Sequence, residues 1–374
     1  MSEYDVIVVG AGPSGSSAAK AAAEKGAKAI LIERHQSIGI PVRCSGTLYG
    51  TSFTEAIRDS LPERVILQRH KYRRFYSHKG GILQEINVAG RGECIIERDE
   101  FDRELARQAV KAGAAVVVNT NVEGLLKENG QIKGVVTNSR SMPQILGKIV
   151  IAAGGDRSKR MGITKQEGMN IPGEEFFSGV YFEIAGVKDG DPEVQETHFW
   201  HVTARNHTNL WARGGDRYSL VLDKLELFEQ LKQLDYPLSR RLRDAYPLRI
   251  YGWTQGRLDG FRLPEGMVKD GLILAGNAGG FQGLVHACVS GRFAGEVAGE
   301  AIKEGNVSAQ RLHAYEEKCE KAKLSYIRLS CMTKGGESDW IKLHGLSSDE
   351  DVERWVAERA ERKELDSFEQ RCTF

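Results

Sequence analysis

The stretch "VIVVGAGPSG", residues 6–15, decides how the chain begins to fold. Val6 to Val9 are continuously apolar, as a parallel strand covered on both faces requires, whereas a half-exposed strand would alternate. Gly10, Gly12 and Gly15 follow with GxGxxG spacing. The first glycine makes a tight turn, the second lets a diphosphate approach the backbone, and the third lets a helix lie against the strand. "SGSSAAKAAAEK" is alanine-rich and helix-favouring, with Gly26 suited to the position beyond its end. "AILI" reads as the next buried strand and ends at Glu33, whose carboxylate can accept from the hydroxyls of an adenosine ribose. A helix N-terminus at the glycine turn favours anions, so the unit reads as a dinucleotide-binding β-α-β.

Outward from this unit, 374 residues are enough for two intimate domains. Lys and Arg total 52 against 51 Asp and Glu, a net charge of +1 with no long run of one sign, so no footprint for nucleic acid is expected. The six cysteines, Cys44, Cys94, Cys288, Cys319, Cys331 and Cys372, show neither CxxC nor paired metal spacing. His198, His201 and His207 lie close together, but on a strand the first two point to opposite faces, so no metal site is expected there. "MSEYDVIVVG" is not a signal peptide, and the apolar runs are too short to span a bilayer. The expectation is a cytoplasmic protein, with peripheral membrane contact left open.

Further along, "RDEFDRELARQAVKAG" has helical spacing and precedes a strand in "AAVVVN". "GLLKENGQIKGVVT" reads as a hairpin around Asn129-Gly130, and "KIVIAAGG" as another buried strand. The basic run "RHKYRR", residues 69–74, reads as a solvated face ahead of a site for an anionic headgroup or an acidic partner. Residues 176–262 turn aromatic and alternating, which predicts a separate antiparallel sheet; Phe176, Phe177, Tyr181, Phe182, Phe199 and Trp200 are either its core or the lining of an apolar pocket. "DGLILAGNAGG" returns to the buried-strand style and enters a long helix, where Ala287, Gly291, Gly295 and Gly299 recur at four-residue steps and predict close packing on a neighbouring backbone. His286, in its first turn, reads as a core or supporting histidine. Toward the end, Ser348 and Asp351 form a capping box, and Val352, Trp355 and Val356 face one side of an amphipathic helix that docks on its own protein.

The run from Gly15 continues at fixed steps through Ala19, Gly26 and Glu33, and it resembles the N-terminal FAD fingerprint of the para-hydroxybenzoate hydroxylase and geranylgeranyl reductase flavoproteins. Three later segments resemble the same group in the same order. "RDEFDREL" is similar to its arginine-bearing helix, with Arg98 at the cofactor-contacting position and Asp102 in the motif; "VIAAGGDRS" is similar to its second glycine motif, with Gly154, Gly155, Asp156 and Ser158. "LILAGNAGGFQGLVHACVSG" is similar to the segment at the ribitol and the flavin edge, with Asn277 where that family has aspartate. The resemblance implies further cofactor contacts from Pro13, Ser14, Arg34, Arg43 and Val122, and from Gly276, Gly280, Gly283 and Leu284. It also implies the fold: an α/β, Rossmann-like FAD-binding domain of the glutathione reductase type, interrupted by a mostly antiparallel β substrate domain, with a helical C-terminus. The expected boundaries are 1–75, 93–175 and 263–325 for the FAD domain, 176–262 for the substrate sheet, and 326–374 for the C-terminal helical segment.

"IPVRCSG", residues 40–46, is similar to the loop of geranylgeranyl reductases in which a cysteine lines the site near the flavin; Cys44 matches it, and Ser45 stands where many members have glycine. That resemblance implies reduction of a carbon–carbon double bond in an apolar, isoprenoid or lipid substrate, with hydride from flavin N5 and a proton from Cys44. The family's aromatic signature in the substrate domain is only partly kept: Trp211 remains as a candidate substrate contact while its flanking aromatics and proline are lost. Two other functions stay open, a flavin-dependent aromatic hydroxylase and an electron-transfer flavoprotein acting on a quinone or protein partner, the second motivated by Asn277. The electron donor, NADPH or a ferredoxin-like protein, is not fixed by the sequence, because only one dinucleotide fingerprint is present.

Overall fold

In the computed structural model the described residues are 3–42, 44–48, 57, 61–77, 79–155, 157–158, 162–169, 176–199, 207–222, 224–256, 266–281, 283–322, 350–351 and 354, with the side chains of 176–178, 207 and 253–256 excepted. The chain opens with β1 (Glu3–Val9), α1 (Pro13–Glu24) and β2 (Ala29–Ile32). Five short strands follow, β3 (Thr47–Leu48), β4 (Ile66–Arg69), β5 (Tyr72–Tyr76), β6 (Ile82–Asn87) and β7 (Cys94–Ile96), then α2 (Arg98–Lys111) and β8 (Ala115–Val117). Next come β9 (Val122–Glu128), β10 (Gln131–Thr137), β11 (Gln144–Ala152), β12 (Phe176–Ala185), β13 (Val194–Phe199), β14 (His207–Gly214) and β15 (Arg217–Leu222). Helices α3 (Leu227–Gln233) and α4 (Pro237–Leu242) lead to β16 (Tyr246–Gly256); β17 (Val268–Lys269), β18 (Leu272–Leu274), α5 (Leu284–Glu304) and α6 (Ala314–Lys321) complete the labelled elements.

Among the described residues, the first sheet has the order β17-β18-β11-β1-β2-β8, with the β9–β10 hairpin joined to β11. β1 runs parallel to both β11 and β2, pairing Val6 with Ile149 and with Ala29. Val6, Ile7 and Val8 are fully buried, which is why their stretch is apolar at every position. Asn129 and Gly130, at φ 49° and 79°, make the two-residue turn that Asn-Gly favours. The glycine stripe of α5 lies on α1: a Cβ at Gly291 would sit 2.0 Å from the Ser14 carbonyl oxygen, and one at Gly295 2.1 Å from that of Ala18. Backbone meets backbone there, as the four-residue spacing predicts.

The second sheet has the order β16-β12-β15-β14-β13-β5-β6. Its pairings are antiparallel except β13 with β5, which run parallel with Val194 opposite Tyr72. Residues 72–87 therefore extend the sheet beyond 176–262, and the boundary expected at 75 falls inside β5. A small sheet, β3-β7-β4, lies between. The "RHKYRR" run is a solvated face only in part: Arg69 and Lys71 are exposed, but His70 is buried, Arg73 pairs with the buried Glu93, and Arg74 donates to Glu85 at 2.8 Å. Strand alternation turns these residues onto acidic partners, which a count of charges along the chain does not reveal. The segment 326–374, with Ser348, Val352, Trp355 and Val356, lies outside the described residues apart from Glu350, Asp351 and Arg354. No helix among the described residues is long and apolar enough to cross a membrane.

His70 ties β4 and β5 to the large sheet. Its Nε2 lies 3.1 Å from the Ala212 carbonyl oxygen and its Nδ1 2.9 Å from Gln195 Nε2, an arrangement that suits the neutral ring, donating from Nε2 and accepting at Nδ1. Burial lowers its pKa to about 4, the Ala212 carbonyl opposing and Arg73 adding to the shift. The unfolded chain takes up the proton near the ordinary value of 6.5, so stability falls as pH drops from there toward about 4.

Three outcomes are expected. Urea midpoints should show the wild type losing about 2 kcal/mol between pH 7 and pH 5 through this group, a slope absent from His70→Gln. Gly295→Ala should cost about 3 kcal/mol by forcing the two helices apart. Gly305→Ala, with open space around its Cβ but a φ of 69°, should cost only about 1 kcal/mol.

Candidate functional site

The carboxyl ends of β1, β2 and β11 converge, as expected where an open parallel sheet binds its ligand. They open onto a cleft of about 430 Å³. Gly10, Gly12, Pro13, Ser14, Glu33 and Arg34 line it. Val122, Gly154 and Arg98 line it as well, together with Cys44, Tyr181, Asn277, Gly283 and Leu284. Gly15, Gly276 and Gly280 are not part of its lining. A Cβ at Gly15 would sit 1.7 Å from the Gly10 carbonyl oxygen, and one at Gly276 2.6 Å from Ser14 Cβ, so both glycines allow the walls to meet. Arg43 and Asp156 lie outside the described residues.

Glu33 is 8% exposed and held on both oxygens: Ala11 N–H donates to Oε2 at 2.9 Å, and His35 N–H donates to Oε1 at 2.9 Å. Its carboxylate thereby locks the glycine turn to the end of β2 and presents negative charge at the cleft. Arg98 and Asp102, one turn apart on α2, form a forked pair at 3.1 to 3.2 Å. Burial opposes the arginine's charge, yet Asp102 and then Cys44 hold its pKa above the ordinary arginine value. Burial pushes the Asp102 carboxyl up while Arg98 pulls it back. Cys44 is half-buried, and the Gly46 N–H donates to its Sγ at 3.4 Å. The sulfur thus has a backbone donor, and a guanidinium fixed by Asp102 interacts with it electrostatically.

Tyr181 stacks on Tyr251 with centroids 5.5 Å apart, and burial pushes the Tyr251 hydroxyl up to about 12. Trp211 is 8% exposed and packs with Ile95 and Val221, with Tyr181 against that cluster; it backs the wall rather than forming it. Phe182 and Phe199 are core, while Trp200 and His201 and the side chains of Phe176, Phe177 and His207 are outside the described residues. His198 is buried on Glu196, which also takes both amino groups of Arg241 at 2.6 and 2.9 Å. The sequence reading missed His35, Thr120, Asn121, Arg157 and Ala287, all of which line the cleft. For Thr120 and Asn121 a signal existed, because they follow β8 at the carboxyl edge of the sheet.

Comparison with known proteins identifies the family. The family model for FAD dependent oxidoreductases matches residues 5–260. The digeranylgeranylglycerophospholipid reductase of Methanocella arvoryzae is 31% identical over 334 residues, covering 86% of this chain and 84% of that protein. A geranylgeranyl bacteriochlorophyll reductase-like protein from Thermoplasma acidophilum superposes with a TM-score of 0.79 at 24% identity, covering 95% and 90% of the two chains. A flavin-dependent brominase superposes at 0.66 with 18% identity, covering 97% of this chain and all of that one, a likeness of fold alone.

The cleft fits FAD on its own evidence. Nothing lies within 4 Å of where a Gly12 Cβ would stand, so the wall is open where a diphosphate needs room. Ser14 Oγ is buried with no hydrogen-bond partner among the described residues, at the first turn of α1, where anions are favoured. Glu33→Gln should weaken FAD binding about tenfold or more, about 1.4 kcal/mol, in a fluorescence titration of the apoprotein; an unchanged Kd would remove Glu33 from the site. With the family matched across most of its length, a relative above 30% identity and a cleft shaped for the coenzyme, this chain belongs to the FAD-dependent oxidoreductases, in the geranylgeranyl reductase group.

Proposed function

We propose that this protein hydrogenates a carbon–carbon double bond of an isoprenoid lipid, with Cys44 as the proton donor. FAD, when bound and reduced, supplies the hydride. The observation that supports this reading most is the presence of Cys44 in the lining of the same cleft as Asn277 and Leu284. A double bond lying there meets a thiol on one side. The charge left on sulfur after proton loss is met by the Gly46 N–H and by the positive charge of Arg98. Tyr181 and Leu284 give the same cleft an apolar surface suited to an alkenyl chain, and the relatives' names point to such a substrate. Asp102 fixes the guanidinium, and the Tyr181–Tyr251 stack restricts the wall. The glycine turn at Gly10–Gly15 and the Glu33 carboxylate would hold the cofactor's diphosphate and ribose. The proposal extends to a lipid presented at a membrane surface and to an electron donor that is NADPH or a ferredoxin-like protein.

Asn277 favours a second reading. An amide hydrogen-bonds a ribitol hydroxyl but adds no negative charge, a difference compatible with electron transfer to a quinone or protein. The experiment that separates the readings is anaerobic reduction of the FAD-loaded protein, followed by a geranylgeranyl lipid, a quinone or O₂. Return of the oxidised absorbance with the alkene alone is the expected result. Cys44→Ala should retain FAD and its chemical reduction but slow the alkene-driven return about a hundredfold or more. Return with quinone at an unchanged rate in Cys44→Ala would overturn the reductase reading.

A further inference from the structure

Beneath the Cys44 loop lies a buried group of charges that the mechanism above does not use. Arg213, on β14 of the second sheet, is 3% exposed. Its Nη1 donates to the Ser45 carbonyl oxygen at 3.0 Å and to Ser219 Oγ at 3.2 Å, and its Nη2 donates to Glu97 Oε1 at 3.3 Å. Its Nε faces Glu183 Oε2 at 3.9 Å. Both of those atoms lack a hydrogen-bond partner among the described residues. Arg217 closes the group from the outside, donating to Glu183 at 3.0 Å, and Arg249 lies 3.6 Å from Glu97.

What Arg213 grips decides its meaning. Ser45 follows Cys44, and Glu97 precedes Arg98, whose charge Cys44 helps to favour. The two segments also touch directly: the Ile96 N–H donates to the Gly46 carbonyl oxygen at 3.0 Å, and a Cβ on Gly46 would lie 2.4 Å from the Ile96 carbonyl oxygen. One side chain from the substrate sheet therefore holds both halves of the thiol–guanidinium pair. A buried arginine is costly to desolvate, and an apolar residue would fill the same space without that cost. We propose that Arg213 is a positioning residue for the reaction, fixing the Cys44 loop against the start of α2 so that sulfur, Arg98 and the cleft keep one geometry. The inference rests on the reading of Cys44 as a reacting group, yet its test needs no turnover.

The FAD-loaded full chain is treated with iodoacetamide, and alkylation of Cys44 is followed by peptide mass spectrometry beside the flavin spectrum and the melting temperature. Losing one charged hydrogen bond of about 1–2 kcal/mol should let the loop open roughly five- to thirtyfold more often. Arg213→Met should label Cys44 faster by that factor with FAD retained, and Arg213→Lys, which keeps the charge but not the fork, should fall between. Arg241→Met, which breaks the buried pair with Glu196 in the same sheet, should lower the melting temperature and leave the Cys44 rate unchanged. Wild-type labelling in both Arg213 variants, or equal acceleration in Arg241→Met, overturns the proposal. Should Arg213→Met fail to fold, the lysine variant decides by the same criterion. Faster labelling, together with alkene reduction that survives Cys44→Ala, would leave the clamp standing and remove the proposed chemistry instead.

Discussion

The contact of α5 with α1 through bare backbone is the constraint on which the rest depends. Gly291 and Gly295 place one helix against the Ser14 and Ala18 carbonyls of the other, closer than any side chain allows. The glycine turn at Gly10–Gly15 starts α1, and the Gly276–Leu284 corner leads into α5, so this contact sets the distance between the two corners. The Ser290 hydroxyl strengthens the arrangement by accepting from the Gly276 N–H at 3.1 Å. A dinucleotide long enough to touch both corners is thereby measured by helix packing rather than by loops.

Onto this frame the second sheet adds the other side of the cleft. Tyr181 comes from β12, and its stacking on Tyr251 of β16 gives the cleft a wall with little freedom. The Cys44 loop belongs in sequence to the nucleotide unit but is bonded to β14. The lining thus combines a glycine turn and a carboxylate from the first sheet with a thiol, a guanidinium and the Tyr181 ring.

Much of the frame was legible in the sequence because its signals are local. Continuous apolar runs at Val6–Val9 and Ala29–Ile32 marked parallel strands, Asn129-Gly130 marked a hairpin, and the glycine period of α5 marked backbone contact. What was not legible depends on partners far away in the chain. β5 reads as basic surface because its acidic partners and β13 are supplied by other segments, the latter more than a hundred residues on. Arg213 reads as one cation among 52 until the fold surrounds it with Glu97 and Glu183. Trp211 drew attention as an aromatic beside a partial signature, but burial under Tyr181 makes it support for the wall. Glycine patterns announce backbone geometry; a lone buried charge announces nothing.

The bond between Arg213 and Ser45 has a consequence for modular exchange. The second sheet looks like a detachable cover whose replacement would retune substrate choice while leaving the redox half intact. Yet a graft of β12–β16 lacking an arginine at that point would strand the Glu97 carboxylate under the thiol loop with less compensation. Any donor sheet must therefore bring its own cation, or the recipient must surrender its acid: the seam between the modules is electrostatic and has to be exchanged as a matched set.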